Sequence, residues 1–156
     1  MDDSRLQRTT LLSWTLEIWR DQRRGMPLTG QPAAVAHCMQ SHPEWWSDWE
    51  SAEHTDNAAF IKTRLIHIHA DASIRLQIER GLPSQIKILY DAMREKGFTE
   101  LESIHTIAVA HSEENAKAAE NNEGFNLDQY IETATLYVKE ALTRPNLTRT
   151  AKAKAY

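Results

Sequence analysis

One cysteine, Cys38, stands in 156 residues. An internal disulfide is therefore impossible, and a reducing, cytoplasmic compartment is expected. A single thiol also supplies no zinc-ribbon spacing. No run of 18 apolar residues occurs, so a membrane span is excluded. Neither Gly-x-Gly-x-x-Gly nor a Walker-type glycine loop is present, so no phosphate cradle is signalled; His-Glu-x-x-His is missing too. The opening MDDSRLQRTT is polar and has no apolar segment behind it, so a secretory signal is not expected. Formal charge is -4 with a pI near 6.0, which makes no general case for nucleic acid. Hydrophobic residues at 41% and charged residues at 26% suffice for an ordinary globular core.

Only five glycines and five prolines punctuate the chain, and they fall between segments of helical period. No stretch sustains the period-2 alternation of a half-buried strand. The expected fold is an all-α, single-domain bundle of five to seven helices over residues 1–144, followed by a basic tail, 145–156. Its core would come from the helices carrying Trp14, Ile68, Ile107 and Ile131. The first helix is expected over 5–23, with Ser4 and Gln7 as a capping box and Gly25 and Pro27 as its stop. Leu11, Trp14 and Ile18, with Leu12 and Trp19, would line its buried side, flanked by Glu17. A second helix follows Pro32 and carries Ala33, Val35, Ala36, Cys38 and Met39.

Pro43 suits the first turn of a short element holding Trp45, Trp46 and Trp49. Those tryptophans are expected either to clamp one end of the bundle or to form a surface for a protein partner. A loop over 51–56 leads into the longest helix, which should end near Gly81. Further helices are expected from Ser84 to about Lys96, from the Thr99/Glu102 capping box to about Ala119, and from the Asn126/Gln129 cap to about Leu142. Leu127, Tyr130, Ile131, Ala134 and Val138 would face inward on the last. Apart from the short basic tail, nothing points to nucleic acid.

Seven histidines, at 37, 42, 54, 67, 69, 105 and 111, are the distinctive population. On the longest helix Ile61, Leu65, Ile68, Ala72 and Leu76 form an apolar stripe. His67 and Asp71 sit at its edge, stacked at i, i+4. A carboxylate and an imidazole on a part-buried face must be paired or must bind something. His105 lies on the stripe Leu101, Ile104, Ala108, with Glu102 three residues before it. Glu-x-x-His is the spacing by which ferritin-like bundles present two ligands inward. His37 on the second helix and His111 near Glu114 complete the candidates. Side chains so placed suit a non-haem iron or manganese centre built around His67, Asp71 and His105, with Glu102, His37 and His111 as further ligands. Oxygen or redox chemistry would follow, by hemerythrin- or ferritin-like logic.

Three alternatives stay open. His67 and Asp71 could be a structural hydrogen-bonded pair in a non-enzymatic interaction module. Glu102 has a second job in the Thr99 capping box. Metal-free acid–base catalysis by His67 or His105 is also compatible with the residues. His67 and His69 stand about 200° apart on a helix, so they do not chelate together.

HPEWW at 42–46, the His67 helix followed by GLPSQIKILYDAM, then His105 and Tyr130 resemble a family of short bacterial proteins classed as a domain of unknown function. The resemblance spans residues 35–131, with His42, Pro43, Glu44, His67, Pro83, Tyr90, His105 and Tyr130 as matching positions. Two features depart from the family pattern. Asp71 stands where the family has a second histidine, and Thr63-Arg64-Leu65 replaces an Asn-Pro-Phe lead. The resemblance implies an all-helical fold, supports attention to His67 and His105, and supplies no activity.

Overall fold

The computed structural model describes residues 3–52 and 58–144, with side chains described over 11–52 and 61–144. All regular structure among the described residues is helical: α1 (Asp3–Arg23), α2 (Gly30–Gln40), a 3-10 turn (Pro43–Trp45), α3 (Trp46–Ser51), α4 (Ala58–Arg80), α5 (Ser84–Glu95), α6 (Glu100–Asn121) and α7 (Leu127–Thr143). The expected all-α class is correct. No described helix is long and apolar enough to cross a membrane. The basic tail, His54 and most of the 51–56 loop lie outside the described residues. The chain forms two compact units, residues 1–72 and 73–156, with the boundary inside α4.

In the first unit α1 packs on α2, and the 3-10 turn packs on both α2 and α3. Leu16, Ile18, Trp19, Val35, Met39, Trp49, Ile61, Leu65 and Ile68 are buried here. Helix α1 runs from Asp3 to Arg23, and the side chains of Ser4 and Gln7, expected as a capping box, lie outside the described residues. Leu11, expected inward, is exposed, whereas Thr15 and Leu16 are buried. Thr15 is tolerated inside because its hydroxyl donates to the Leu11 carbonyl oxygen at 2.8 Å. The stripe on α4 is as expected at Ile61, Leu65, Ile68 and Ala72, but burial continues around the helix through His67, Ala70 and Asp71. A helix covered on most sides must satisfy its polar side chains within the protein.

In the second unit α5, α6 and α7 pack pairwise against one another. Ile86, Met93, Ile107, Ala108, Tyr130, Ala134 and Val138 are buried, while Leu127, expected inward, is exposed at the start of α7. Both expected caps form. Thr99 Oγ1 accepts the Glu102 N–H at 3.1 Å, Glu102 Oε2 accepts the Thr99 N–H at 2.8 Å, and Asn126 Oδ1 accepts the Gln129 N–H at 3.1 Å. Helix α4 stops at Gly81, whose φ of +65° lets the Leu82 N–H reach back to the Gln77 carbonyl at 3.1 Å. A Cβ at Gly81 would meet nothing within 4 Å, so the glycine is needed for its conformation and not for space. Asn122 does the same for α6 with a φ of 53°.

Candidate metal centre

The segment HPEW builds one wall of the site. Helix α2 ends at Gln40, and His42 departs from helical geometry at φ -121° and ψ 68° to lead into the 3-10 turn. Pro43, with no N–H to satisfy and its φ fixed, opens that turn at no hydrogen-bonding cost. The Trp45 N–H closes it on the His42 carbonyl at 3.0 Å. One such turn brings Glu44 beside the His42 ring, with Oε1 2.9 Å from Nδ1. It also lays Trp45 flat on that ring, centroids 4.3 Å apart and planes 15° apart. The opposite wall is α4, whose i, i+4 spacing sets His67 and Asp71 side by side, Nε2 to Oδ2 3.2 Å.

Three donor atoms converge from these walls. His42 Nε2 and His67 Nε2 are 3.1 Å apart. Asp71 Oδ2 stands 3.2 Å from His67 Nε2 and 3.9 Å from His42 Nε2. All three residues are buried, Asp71 almost completely at 1% exposure. Trp45 covers them, edge-on to His67 at 5.0 Å and 89°. The Arg64 guanidinium lies over the Trp45 ring at 5.3 Å and pairs with Asp48, which holds this cover in place.

Protonation follows from the partners. The Glu44 carboxylate only accepts, so His42 Nδ1 carries a proton and donates it. In neutral His42 the Nε2 lone pair then points at two other electron-rich atoms. Burial by itself would lower the His42 pKa, but hydrogen bonding to Asp71 and Glu44 outweighs it and raises the value above 6.5. For Glu44, burial would raise the pKa, and the hydrogen bond from His42 outweighs it, so the carboxyl stays ionised to lower pH. Two imidazole nitrogens and a buried carboxylate oxygen facing one another need a hydrogen-bonding proton or a metal ion among them.

The distances suit an ion. Donors about 2.1 Å from one metal stand about 3.0 Å apart at a right angle and about 3.4 Å apart at a tetrahedral angle. The contacts of 3.1 and 3.2 Å fall inside that window, and the 3.9 Å contact is longer. A hydrogen bond between the same atoms has a similar length. The buried His/Asp cluster could therefore hold a metal.

Of the ligands expected from sequence, His67 and Asp71 are brought together. His105 stands half-buried on α6, in the second unit. His37, expected on the inward face of α2, is exposed because that helix buries Ala34, Val35, Ala36, Cys38 and Met39 instead. Glu102 spends its carboxylate on the Thr99 backbone, the capping role the sequence already offered. His111 lies among Phe125 and Tyr130, ring centroids 5.1 and 5.2 Å away, and Asn115 Nδ2 is 3.3 Å from its Nδ1. Glu17 is exposed. The three tryptophans divide: Trp49 is buried, Trp45 covers the histidines, and Trp46 is 39% exposed while donating to the Met39 carbonyl at 3.0 Å.

Spacing alone did not bring out His42 and Glu44 as site residues, since His42 lies 25 positions before its partner His67. The signal available was the His-Pro-Glu segment itself, carried by the family resemblance. His69 faces elsewhere, bonded to Thr15 Oγ1 at 2.9 Å and stacked on Trp14 at 5.7 Å.

Comparison with known proteins agrees with that resemblance. No curated protein and no solved structure matches the chain. A family model does match, over residues 7–135, and it takes in both walls of the site. The chain thus belongs to the family described as a domain of unknown function, DUF1841.

Proposed function

We propose that this protein binds a divalent transition metal, iron or manganese, through His42 Nε2, His67 Nε2 and Asp71 Oδ2, and uses it for oxygen or redox chemistry. The observation that carries the reading is the convergence of three buried donor atoms with a carboxylate, Glu44, behind one of them. Two imidazoles and one carboxylate, with coordination positions left for other ligands, are the donor set of non-haem iron sites that handle oxygen. A hydrogen-bonded carboxylate on the far nitrogen of a ligating histidine fixes its orientation and strengthens it as a ligand. His105 is kept as a further ligand on its sequence position alone.

The test is add-back to chelator-stripped protein without oxygen. Fe(II) or Mn(II) should raise the melting temperature in a concentration-dependent way, since a ligand that binds only the folded form stabilises it. His67→Ala should abolish the rise. Admitting air should then convert bound Fe(II) to Fe(III) faster than in buffer. A rise with Zn(II) only would keep the site and remove its redox chemistry.

A second reading is an interaction module in which the His/Asp cluster is a structural network. The hydrogen-bond length of the same contacts favours it, and exposed Trp46 would be its partner surface. In that case no metal shifts the melting temperature, and His67→Ala costs stability because it strands Asp71.

A further inference from the structure

Two carboxylates and the His67 ring surround the nitrogens of neutral His42, His67 Nε2 standing 3.1 Å from its Nε2. Glu44 Oε1 is 2.9 Å from Nδ1, whereas Asp71 Oδ2 is 3.9 Å from Nε2. Glu44 is the nearest acceptor and a charged one, whereas the nearest atom to Nε2 is a ring nitrogen, so the proton resides on Nδ1. Without Glu44 the remaining carboxylate draws the proton to Nε2, the atom that faces His67. Ring position has a separate cause, the parallel stack of Trp45 and the fixed turn at Pro43. Glu44 itself is mostly solvent-exposed, with 58% of its side chain accessible, so packing does not explain its placement.

We infer that Glu44 is a positioning residue of the site: it holds His42 with Nδ1 protonated and thereby keeps the Nε2 lone pair aimed at the point shared with His67 and Asp71. This rests on the metal reading for its purpose, though not for its geometry. Glu44 would not touch the metal itself and acts only through His42. A glutamine at this position still offers a carbonyl oxygen to Nδ1–H, whereas an alanine offers nothing.

The experiment has two arms on the full chain, with circular dichroism confirming that each variant folds. The first is nitrogen-15 NMR of metal-free protein near ~pH 8.5, above the ordinary imidazole range. His42 should show a protonated Nδ1 and a bare Nε2 in the wild type and in Glu44→Gln, and the reverse in Glu44→Ala. The second arm is Mn(II) titration followed by electron paramagnetic resonance. Glu44→Ala should bind about 10–100-fold more weakly than wild type, with Glu44→Gln restoring most of the loss.

A Glu44→Ala protein that keeps the wild-type tautomer and affinity overturns the inference. So does a wild type whose His42 carries its proton on Nε2. Wild-type protein that takes up neither Mn(II) nor Fe(II) sinks the metal reading instead, and the NMR arm still decides whether Glu44 sets the tautomer.

Discussion

His42, buried, and His111, half-buried, both lie against aromatic rings, and their surroundings make them opposites. At His42 a carboxylate sits on Nδ1 and another lies near Nε2, so the imidazole is held ready for positive charge, its pKa raised despite burial. At His111 the neighbours are Phe125, Tyr130 and the Asn115 amide, and burial alone pushes the pKa below 6.5. The Asn115 amide donates to Nδ1, which leaves the proton of neutral His111 on Nε2. Hence the two rings carry opposite tautomers. Aromatic contact is common to both, so it does not mark a site. The carboxylates do.

The largest expected effect lies on the His111 side. Tyr130 is fully buried and its hydroxyl donates to Gln77 at 2.7 Å. Tyr130→Ala should cost about 3–5 kcal/mol in chemical denaturation, the usual loss for a large buried ring. Metal stoichiometry of the remaining folded protein should not change. If it falls, the two histidine settings are not independent.

Asp71→Ala should weaken Fe(II) or Mn(II) binding by at least about 100-fold, beyond what loss of an outer partner does. His111→Phe should leave that affinity at the wild-type value. Equal effects from both variants in a metal titration would erase the distinction between the two settings.

The pH dependence separates them by sign. A histidine whose folded pKa lies below its unfolded value binds its proton more readily in the unfolded chain. The stability of the His111 setting is therefore present above pH ~6.5 and is lost as pH falls toward the folded value, at up to about 1.4 kcal/mol per pH unit. His111→Phe should flatten that part of the profile in denaturation series from pH ~7 to ~5. An unchanged slope would mean that other groups produce it.

The smallest effect concerns a helix end remote from the chemistry. Thr99→Ala removes the acceptor for the Glu102 N–H and should cost about 1 kcal/mol, leaving metal content untouched.

What could be read from the sequence follows the range of the interactions involved. Caps and stops depend on residues three to five apart, and the Thr99/Glu102 box, the Asn126 cap and the Gly81 stop all form where expected. His67 and Asp71 were legible for the same reason, as an i, i+4 pair on one face. Tertiary choices were less so. Leu11 and Leu127 have helical spacing suited to burial, but each lies toward one end of its apolar stripe and remains exposed. His37 shares α2 with smaller apolar residues that take the buried side. The pairing of His42 with His67 joins a turn to a distant helix, which no local period encodes. Only the His-Pro-Glu wording of the turn hinted at it.

Elemental analysis of untagged protein, expressed with iron and manganese available and compared with Asp71→Ala, decides between a metal centre and a structural network. A metal centre at Asp71 gives close to one iron or manganese per chain in the wild type and none in the variant. Wild-type protein without stoichiometric metal, or a variant that keeps it, rules that centre out and leaves His42, His67 and Asp71 as a hydrogen-bonded network.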